Sequence, residues 1–148
     1  MPHLSNDQTH GSHMDSTTQN AAPSKGAVWT GRVLSTLVAL FLCFDAIYKF
    51  TKAAPVVEAF SHLGLPLGLA NPIAIVLLVC VLLYAIPRTA ILGAILLTGY
   101  LGGAVLTHLR VGDPLASHAL FPVYFGILLW FGLYLREPRL RALVPFRS

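Results

Sequence analysis

A stripe of ionisable side chains interrupts the first apolar stretch of this sequence. Asp45, Lys49 and Lys52 recur at i, i+4 and i+7, so they share one helical face and the first two can pair. Inserting a charged side chain at the centre of a bilayer costs about 2.5–3.5 kcal/mol of free energy, so its presence in an apolar stretch needs an explanation. Asp45 lies about 24 Å along a helix from Trp29, near the outer membrane boundary, where a lysine can snorkel to the headgroups. The stripe is either an interfacial ion pair or part of a site that handles a ligand or a proton.

A second polar group lies in the third apolar stretch. Tyr100, Thr107 and Arg110 fall on one helical face, with His108 beside them. The basic pair can cap the negative end of a helix. The similar depth of this group and of the first stripe instead favours one shared pocket that opens to the outer side. The predicted pocket consists of Asp45, Lys49, Tyr100, Thr107, His108 and Arg110.

Further polar residues stand on the same predicted outer side. His118 and Tyr124 begin the fourth apolar stretch, while Glu58 and His62 lie in the first loop, where a solvated face explains them. Asp113 precedes a proline, a pattern that is typical of a helix N-cap. We therefore expect Asp113 to cap the fourth helix.

Small residues recur along the third stretch. Gly99, Gly103 and Thr107 form a small-xxx-small series, which lets another helix backbone approach closely. We therefore expect Gly99 and Gly103 to serve helix packing.

The two cysteines give no sign of a chemical centre. Cys43 and Cys80 lie far apart, without CxxC spacing or a nearby pair of histidine ligands. We expect neither a metal site nor a dithiol redox centre. No self-contained catalytic motif is visible, so the sequence does not decide whether the protein is an enzyme.

The composition places these residues in a membrane protein. Hydrophobic residues make up 55% of the 148 residues and charged residues only 11%, and the mean hydropathy is +0.70. These values lie outside the range of soluble globular domains. The net charge is +4, but the basic residues are scattered at the ends of apolar runs and form no clustered basic face. We therefore expect the lipid bilayer, and not a nucleic acid, as the partner of this protein.

Four continuously apolar segments are each about as long as the 20 residues that a helix needs to cross a bilayer. They cover approximately residues 28–50, 67–86, 89–109 and 115–135. Their apolar residues do not alternate with polar ones, which excludes a β-barrel. The sequence therefore predicts an all-α membrane protein, an antiparallel bundle of four transmembrane helices that forms one domain over residues 28–148.

The first outer loop is long enough to hold a helix of its own. Pro55 stands where a first helical residue would, and Val56, Phe60 and Leu63 recur at helical spacing. Gly64 then ends the pattern. We expect a short amphipathic helix on the outer surface.

Residues 1–27 are polar, with too little apolar surface to fold against anything, and predict a disordered tail. Residues Gly11-Ser12-His13-Met14 are typical of a cloning scar, so the natural chain is expected to begin at Met14.

The orientation follows from the lysines and arginines near the helix ends. One side receives Lys25, Arg32, Arg88, Arg136, Arg139, Arg141 and Arg147, and the other receives Lys49, Lys52 and Arg110. Because seven basic residues lie on the first side and three on the second, we predict that both termini and the second loop are cytoplasmic.

Two regions of the chain resemble a known family. The run from Pro87 to Asp113, with Thr98-Gly99-Tyr100-Leu101-Gly102-Gly103 at its centre, is similar to the third helix of the DoxX-like family of small four-helix membrane proteins. Phe44-Asp45-Ala46-Ile47-Tyr48-Lys49 resembles its first helix, and Phe60 with Leu63-Gly64 its first loop. The resemblance implies a multi-pass protein of the bacterial inner (plasma) membrane.

The wider DoxX-like family contains subunits associated with quinone-linked sulfur oxidation and with membrane oxidoreductase complexes. A quinone is therefore an implied ligand. Many relatives are expected to carry an acidic residue in the second helix, in a pattern like Glu-Leu-x-Cys. This chain has Leu77-Leu78-Val79-Cys80 there, which speaks against a redox role that depends on such a carboxylate.

Two classes of function remain open. The first is a binding or accessory subunit whose outer pocket holds a lipophilic small molecule such as a quinone, with Asp45, Lys49 and His108 at its polar head. The second is an assembly factor that joins a membrane-protein partner, or a homo-oligomer, through the glycines of the third helix. A small transporter is less favoured, because the sequence predicts no broken helix, no charge at the midplane and no inverted repeat.

Overall fold

The computed structural model describes residues 24–143, and within that range every regular element is helical. The α-helices are α1 (Lys25–Thr51), α2 (Ala54–His62), α3 (Ala70–Ala85), α4 (Ala90–Arg110), α5 (Phe121–Arg136) and α6 (Pro138–Leu143). Four stretches are long and apolar enough to cross a membrane: Lys25–Thr51, Leu67–Ala85, Ala90–Arg110 and Leu115–Arg136. The predicted all-α fold with four spanning helices is confirmed.

The first helix starts earlier than its apolar pattern indicates. Ser24 accepts a hydrogen bond on Oγ from the backbone N–H of Ala27 at 3.2 Å, so it caps a helix that begins at Lys25 and not at Val28. Of the predicted tail, residues 1–23 lie outside the described part of the chain.

The four spanning helices pack as a square. α1 contacts α3 and α5, and α4 contacts the same two helices, so α1 and α4 lie across a diagonal. Large apolar side chains point outward, including Leu37, Leu40, Leu82 and Ile95, whose exposed fractions are 59%, 61%, 59% and 54%. An outward apolar surface of this kind suits lipid and not water.

The helix predicted in the first loop is α2, and it is amphipathic. Val56 and Phe60 are buried against Ala70 at the start of α3, while Glu58 is exposed. We call the end of the bundle that carries α2 and the α4–α5 connection the α2 end. The opposite end carries the α3–α4 turn and α6, and we call it the α6 end.

A buried tyrosine ties three helices together. The Tyr84 hydroxyl on α3 hydrogen-bonds with Ser35 Oγ on α1 at 2.9 Å and with the Leu129 carbonyl oxygen on α5 at 3.0 Å. Arg136 Nη2 donates to the Tyr84 carbonyl oxygen at 2.9 Å, and its guanidinium lies 4.8 Å from the centre of the Tyr84 ring. The hydroxyl bonds pair the polar groups of Tyr84 and Ser35 within an apolar core.

Glycines bring helix backbones into close contact at two interfaces, neither of which is the predicted one. A Cβ at Gly31 would lie 2.8 Å from the Gly132 carbonyl oxygen, and one at Gly93 would overlap the backbone of Tyr84. The α1–α5 and α3–α4 interfaces therefore depend on these glycines. Among residues 24–143, nothing lies within 4 Å of a Cβ added at Gly99 or Gly103, so their role in helix packing stays a prediction.

The fourth span is interrupted, contrary to the expectation of unbroken helices. A π turn over Leu115–Ala119 precedes α5, and the N–H groups of Ala119 and Leu120 bond to carbonyl oxygens five residues back, on Pro114 and Leu115. Pro122 has no N–H and cannot continue the regular ladder. The widened turn lies just before the proline, at the α2 end, and accommodates the missing backbone hydrogen bond.

Candidate functional site

The ion pair predicted on α1 is formed. Lys49 Nζ donates to Asp45 Oδ2 at 2.5 Å, and the exposed side-chain fractions are 16% for Lys49 and 37% for Asp45. Tyr100 on α4 is partly buried against the core. Of the six predicted pocket residues, Asp45 and Lys49 are joined directly.

The Asp113 carboxylate bridges two histidines at the α2 end of the bundle and does not cap a helix. Its Oδ1 lies 2.7 Å from His62 Nε2 and its Oδ2 lies 2.6 Å from His108 Nδ1. The predicted N-cap role is wrong, because the side chain makes no capping bond and its oxygens face the two imidazoles. Hydrogen bonds from His108 and then from His62 lower the pKa of Asp113. We call this trio the histidine clasp.

The clasp also sets the tautomer of His108. An ionised carboxylate only accepts hydrogen bonds, so the His108 Nδ1 that faces it carries a proton. The neutral ring then presents a lone pair at Nε2, which has no hydrogen-bond partner among residues 24–143. An Asp–His pair of this kind orients an imidazole toward a third group.

Two further predicted residues donate hydrogen bonds to backbone carbonyl oxygens. Arg110 Nη2 donates to the Leu63 carbonyl oxygen, next to Gly64, whose φ of 61° is left-handed. Thr107 Oγ1 donates to the Gly103 carbonyl oxygen of its own helix at 2.8 Å. In the described part of the chain, no hydrogen bond or ion pair joins these residues or His108 to Asp45, Lys49 or Tyr100. The shared pocket of six residues stays a prediction.

The sequence did not reveal a large groove between α4 and α5, which has a cavity volume of about 820 Å³. Its walls are almost wholly apolar and include Leu101, Gly102, Val105, Pro122, Gly126 and Ile127. A groove of this kind needs small residues on facing helices, and Gly102 and Gly126 supply them. The sequence shows where Gly102 lies along its helix, but it does not show that Gly126 lies on the facing helix of the groove.

Two of the polar side chains that line this groove, Trp130 and Thr98, bond to each other. Trp130 Nε1 donates to Thr98 Oγ1 at 2.9 Å, and Thr98 Oγ1 donates to the Ala94 carbonyl oxygen at 2.8 Å. Their hydrogen-bonding capacity is therefore largely used within the protein. The groove suits an apolar occupant.

Two histidines stand at the α2 end of the groove. His108 follows the wall residue Val105 by one helical turn, and His118 precedes Pro122 by about one turn. The centres of the two rings are 6.3 Å apart. His118 Nδ1 lies 2.8 Å from Ser117 Oγ, so its Nε2 also remains available. Neither histidine belongs to the walls of the groove, which are apolar along their length.

Comparison with known proteins identifies the family. A search of curated proteins and a search of solved structures gave no match. The family model of the DoxX-like family matches residues 33–132, which include most of the four spans, most of the α4–α5 groove and the whole histidine clasp. The chain belongs to the DoxX-like family.

Proposed function

We propose that this protein binds one lipophilic molecule within the bilayer, with the apolar part in the α4–α5 groove and the polar head beside His108 and His118. The observation that carries the proposal is the groove of about 820 Å³. Small-molecule sites typically measure roughly 300–1,000 Å³ and combine apolar walls with a few polar groups. The groove has the volume and the apolar walls, and the proposal assigns the polar groups to His108 and His118, which lie beyond the wall residues.

The shape of the groove favours an elongated ligand. The wall residues of α5 run from Pro122 to Tyr134, which corresponds to about 18 Å along a helix axis. An isoprenoid or acyl tail of that length fills such a space without leaving polar atoms unpaired. Lipids of the surrounding membrane reach the groove from the side.

The histidines favour an oxygen-bearing head. The neutral His108 ring accepts a hydrogen bond at Nε2 from a hydroxyl group, and the protonated ring donates one to a carbonyl oxygen. A quinone offers a carbonyl in its oxidised form and a hydroxyl in its reduced form, together with an isoprenoid tail. We propose a quinone-type lipophile as the ligand and a binding or accessory role in a larger inner-membrane system.

The test is mass spectrometry of the small molecules that co-purify with the protein in mild detergent. Wild type is expected to retain a defined lipophile, and both His108→Ala and Gly102→Leu are expected to lose it. The first variant removes a contact to the polar head, and the second fills the space of the apolar tail. Gly103→Leu is the matched control, because Gly103 is next in sequence but does not line the groove. Equal retention by wild type and both variants would overturn the proposal.

The α1 ion pair provides a second arm of the same experiment. The pocket predicted from the sequence places the head at Asp45 and Lys49. If Asp45→Asn removes the lipophile while His108→Ala does not, the head lies at the α1 pair and our placement beside the histidines is wrong. If only His108→Ala removes it, the ion pair is structural.

A second function, assembly with another membrane helix, is favoured by the open glycines of α4. Gly99 and Gly103 leave room on an exposed helical face, which a second backbone can approach closely. The double variant Gly99→Leu/Gly103→Leu should then dissociate a partner or a homo-oligomer in native gels. Complexes that stay intact in this variant would count against the assembly role.

A further inference from the structure

Basic side chains gather at the α6 end with few acidic ones to balance them. Lys25, Arg32, Arg88, Arg136, Arg139 and Arg141 all lie there, and Glu137 is the one acidic residue at that end within the range 24–143. Glu137 accepts from the backbone N–H of Arg139 and forms no ion pair with an arginine among the described residues. The positive charge of this end is therefore uncompensated within the described protein.

Three of these arginines lie close together in sequence around the junction of α5 and α6. We call Arg136, Arg139 and Arg141 the arginine cluster. Arg136 donates to the carbonyl oxygen of Tyr84 near the end of α3, and Arg141 Nη2 donates to the carbonyl oxygen of Leu135 near the end of α5, at 3.2 Å. The Nε atoms of Arg136 and Arg141 are buried and have no hydrogen-bond partner. These contacts hold two guanidinium groups in place but do not neutralise them.

The depth of the cluster matches a membrane surface. Arg136 ends the fourth span, so the arginines that follow stand where the hydrocarbon gives way to headgroups. Leu140, which is 6% exposed, anchors α6 to the core between Arg139 and Arg141, and Leu143 is 72% exposed. α6 therefore presents positive charge and apolar surface side by side.

We infer that the arginine cluster binds the phosphate of an anionic phospholipid, with the acyl chains of the lipid against the apolar surface of α5 and α6. Guanidinium groups match the geometry of phosphate oxygens, and a held guanidinium loses little freedom on binding. The adjoining apolar surface favours a lipid over a soluble phosphate. The phosphate site lies at the opposite end of the bundle from His108, whereas Leu140 of α6 also lines the α4–α5 groove, so the two sites differ in the place of the polar head.

The direct test is native mass spectrometry of the full chain in mild detergent with added phosphatidylglycerol or phosphatidylcholine of identical acyl chains. Wild type should retain phosphatidylglycerol preferentially. The preference should fall about fivefold in Arg139→Gln, the factor that corresponds to one basic residue at an anionic surface, and further in Arg139→Gln/Arg141→Gln. Arg139 is the cleaner position, because its side chain makes no hydrogen bond or ion pair in the described part of the chain.

Controls separate this site from general attraction to charge and from the lipophile site. Arg32→Gln removes one charge from the exposed surface of α1 at the same end and should leave most of the preference intact. His108→Ala should leave it unchanged. Equal retention of the two phospholipids by wild type, or an equal effect of Arg32→Gln and Arg139→Gln, would overturn the inference, whereas loss of the lipophile in His108→Ala would bear only on the proposed function.

Discussion

At the scale of single residues, Tyr84 is the side chain on which most of the bundle converges. It is 1% exposed, and its hydroxyl reaches Ser35, which is 2% exposed, and the backbone of α5. A buried polar group that loses its partner pays the cost of its desolvation. The Tyr84 hydroxyl therefore joins α3 to both α1 and α5.

Replacing Tyr84 by phenylalanine should lower the free energy of unfolding by about 1 kcal/mol, the usual range for a hydrogen bond between membrane helices. Thermal unfolding in detergent measures the loss. Tyr124→Phe is the control, since the Tyr124 hydroxyl makes one exposed hydrogen bond of 3.3 Å to the Ala116 carbonyl oxygen. Equal stability of the two variants would show that the Tyr84 hydroxyl does not hold the helices.

The histidine clasp should give the protein a stability that disappears only in strong acid. The pKa of Asp113 is lowered from its ordinary value of 3.8 by the hydrogen bonds from His108 and His62. A carboxyl whose pKa is lower in the folded state stabilises the fold above its unfolded pKa and loses this effect as the pH falls through the folded pKa. Asp113→Asn should therefore unfold at a lower temperature than wild type at pH 7.

That difference in unfolding temperature should persist at about pH 5 and vanish only when the pH falls below the ordinary value of 3.8 for Asp113. Glu58→Gln, at an exposed carboxylate on α2, should behave as wild type throughout. A difference between wild type and Asp113→Asn that is already absent at pH 5 would mean that the clasp does not stabilise the fold.

Local spacing predicted some of these residue contacts but not others. Asp45 and Lys49 are four residues apart on one helix, so their pairing follows from helix geometry alone. Asp113 meets His62, which is 51 positions away in the sequence, and no local pattern encodes that distance. The proline after Asp113 instead suggested a capping role that the tertiary contact overrides.

At the scale of the helices, close packing depends on glycines that differ from the predicted ones. Gly93→Ala would place a methyl group onto the backbone of α3 and should cost about 3 kcal/mol, at the upper end of the usual range for overpacking. Gly99→Ala meets open space and should be neutral or gain about 0.5 kcal/mol of helix propensity. Unfolding of the two variants in detergent compares these values directly. Similar stabilities would contradict the close α3–α4 contact.

The helices themselves were largely predictable from the sequence, because a helix that crosses a bilayer needs an apolar run of a known length. Continuous apolar runs fix the number and type of the spans, and Pro55 marks the start of α2 in the loop. The π turn before Pro122 was not foreseen, because a proline near the start of a helix is equally compatible with a regular first turn. Which glycines face a neighbour depends on helix rotation, which a uniformly apolar sequence does not specify.

At the scale of the whole molecule, the uneven distribution of arginine predicts the orientation in the membrane. The α6 end should be cytoplasmic and α2 should face outward. Arg88→Cys in the α3–α4 turn and Ser61→Cys on α2 place exposed thiols at the two ends. A membrane-impermeant thiol reagent on intact cells should label Ser61→Cys and spare Arg88→Cys, with the parent chain reporting any background from Cys43 and Cys80. The reverse pattern would invert the topology.

The central claim is that the α4–α5 groove holds a lipophile, and photo-crosslinking with a diazirine-bearing isoprenoid tests it most directly. Labelling should be saturable and should map to the groove walls, between Thr98 and Val105 on α4 and between Pro122 and Tyr134 on α5. Gly102→Leu should abolish it, and Gly103→Leu should not. Labelling that never saturates and spreads equally over outward residues of α1 such as Leu37 and Leu40 would show that the groove is ordinary lipid-facing surface.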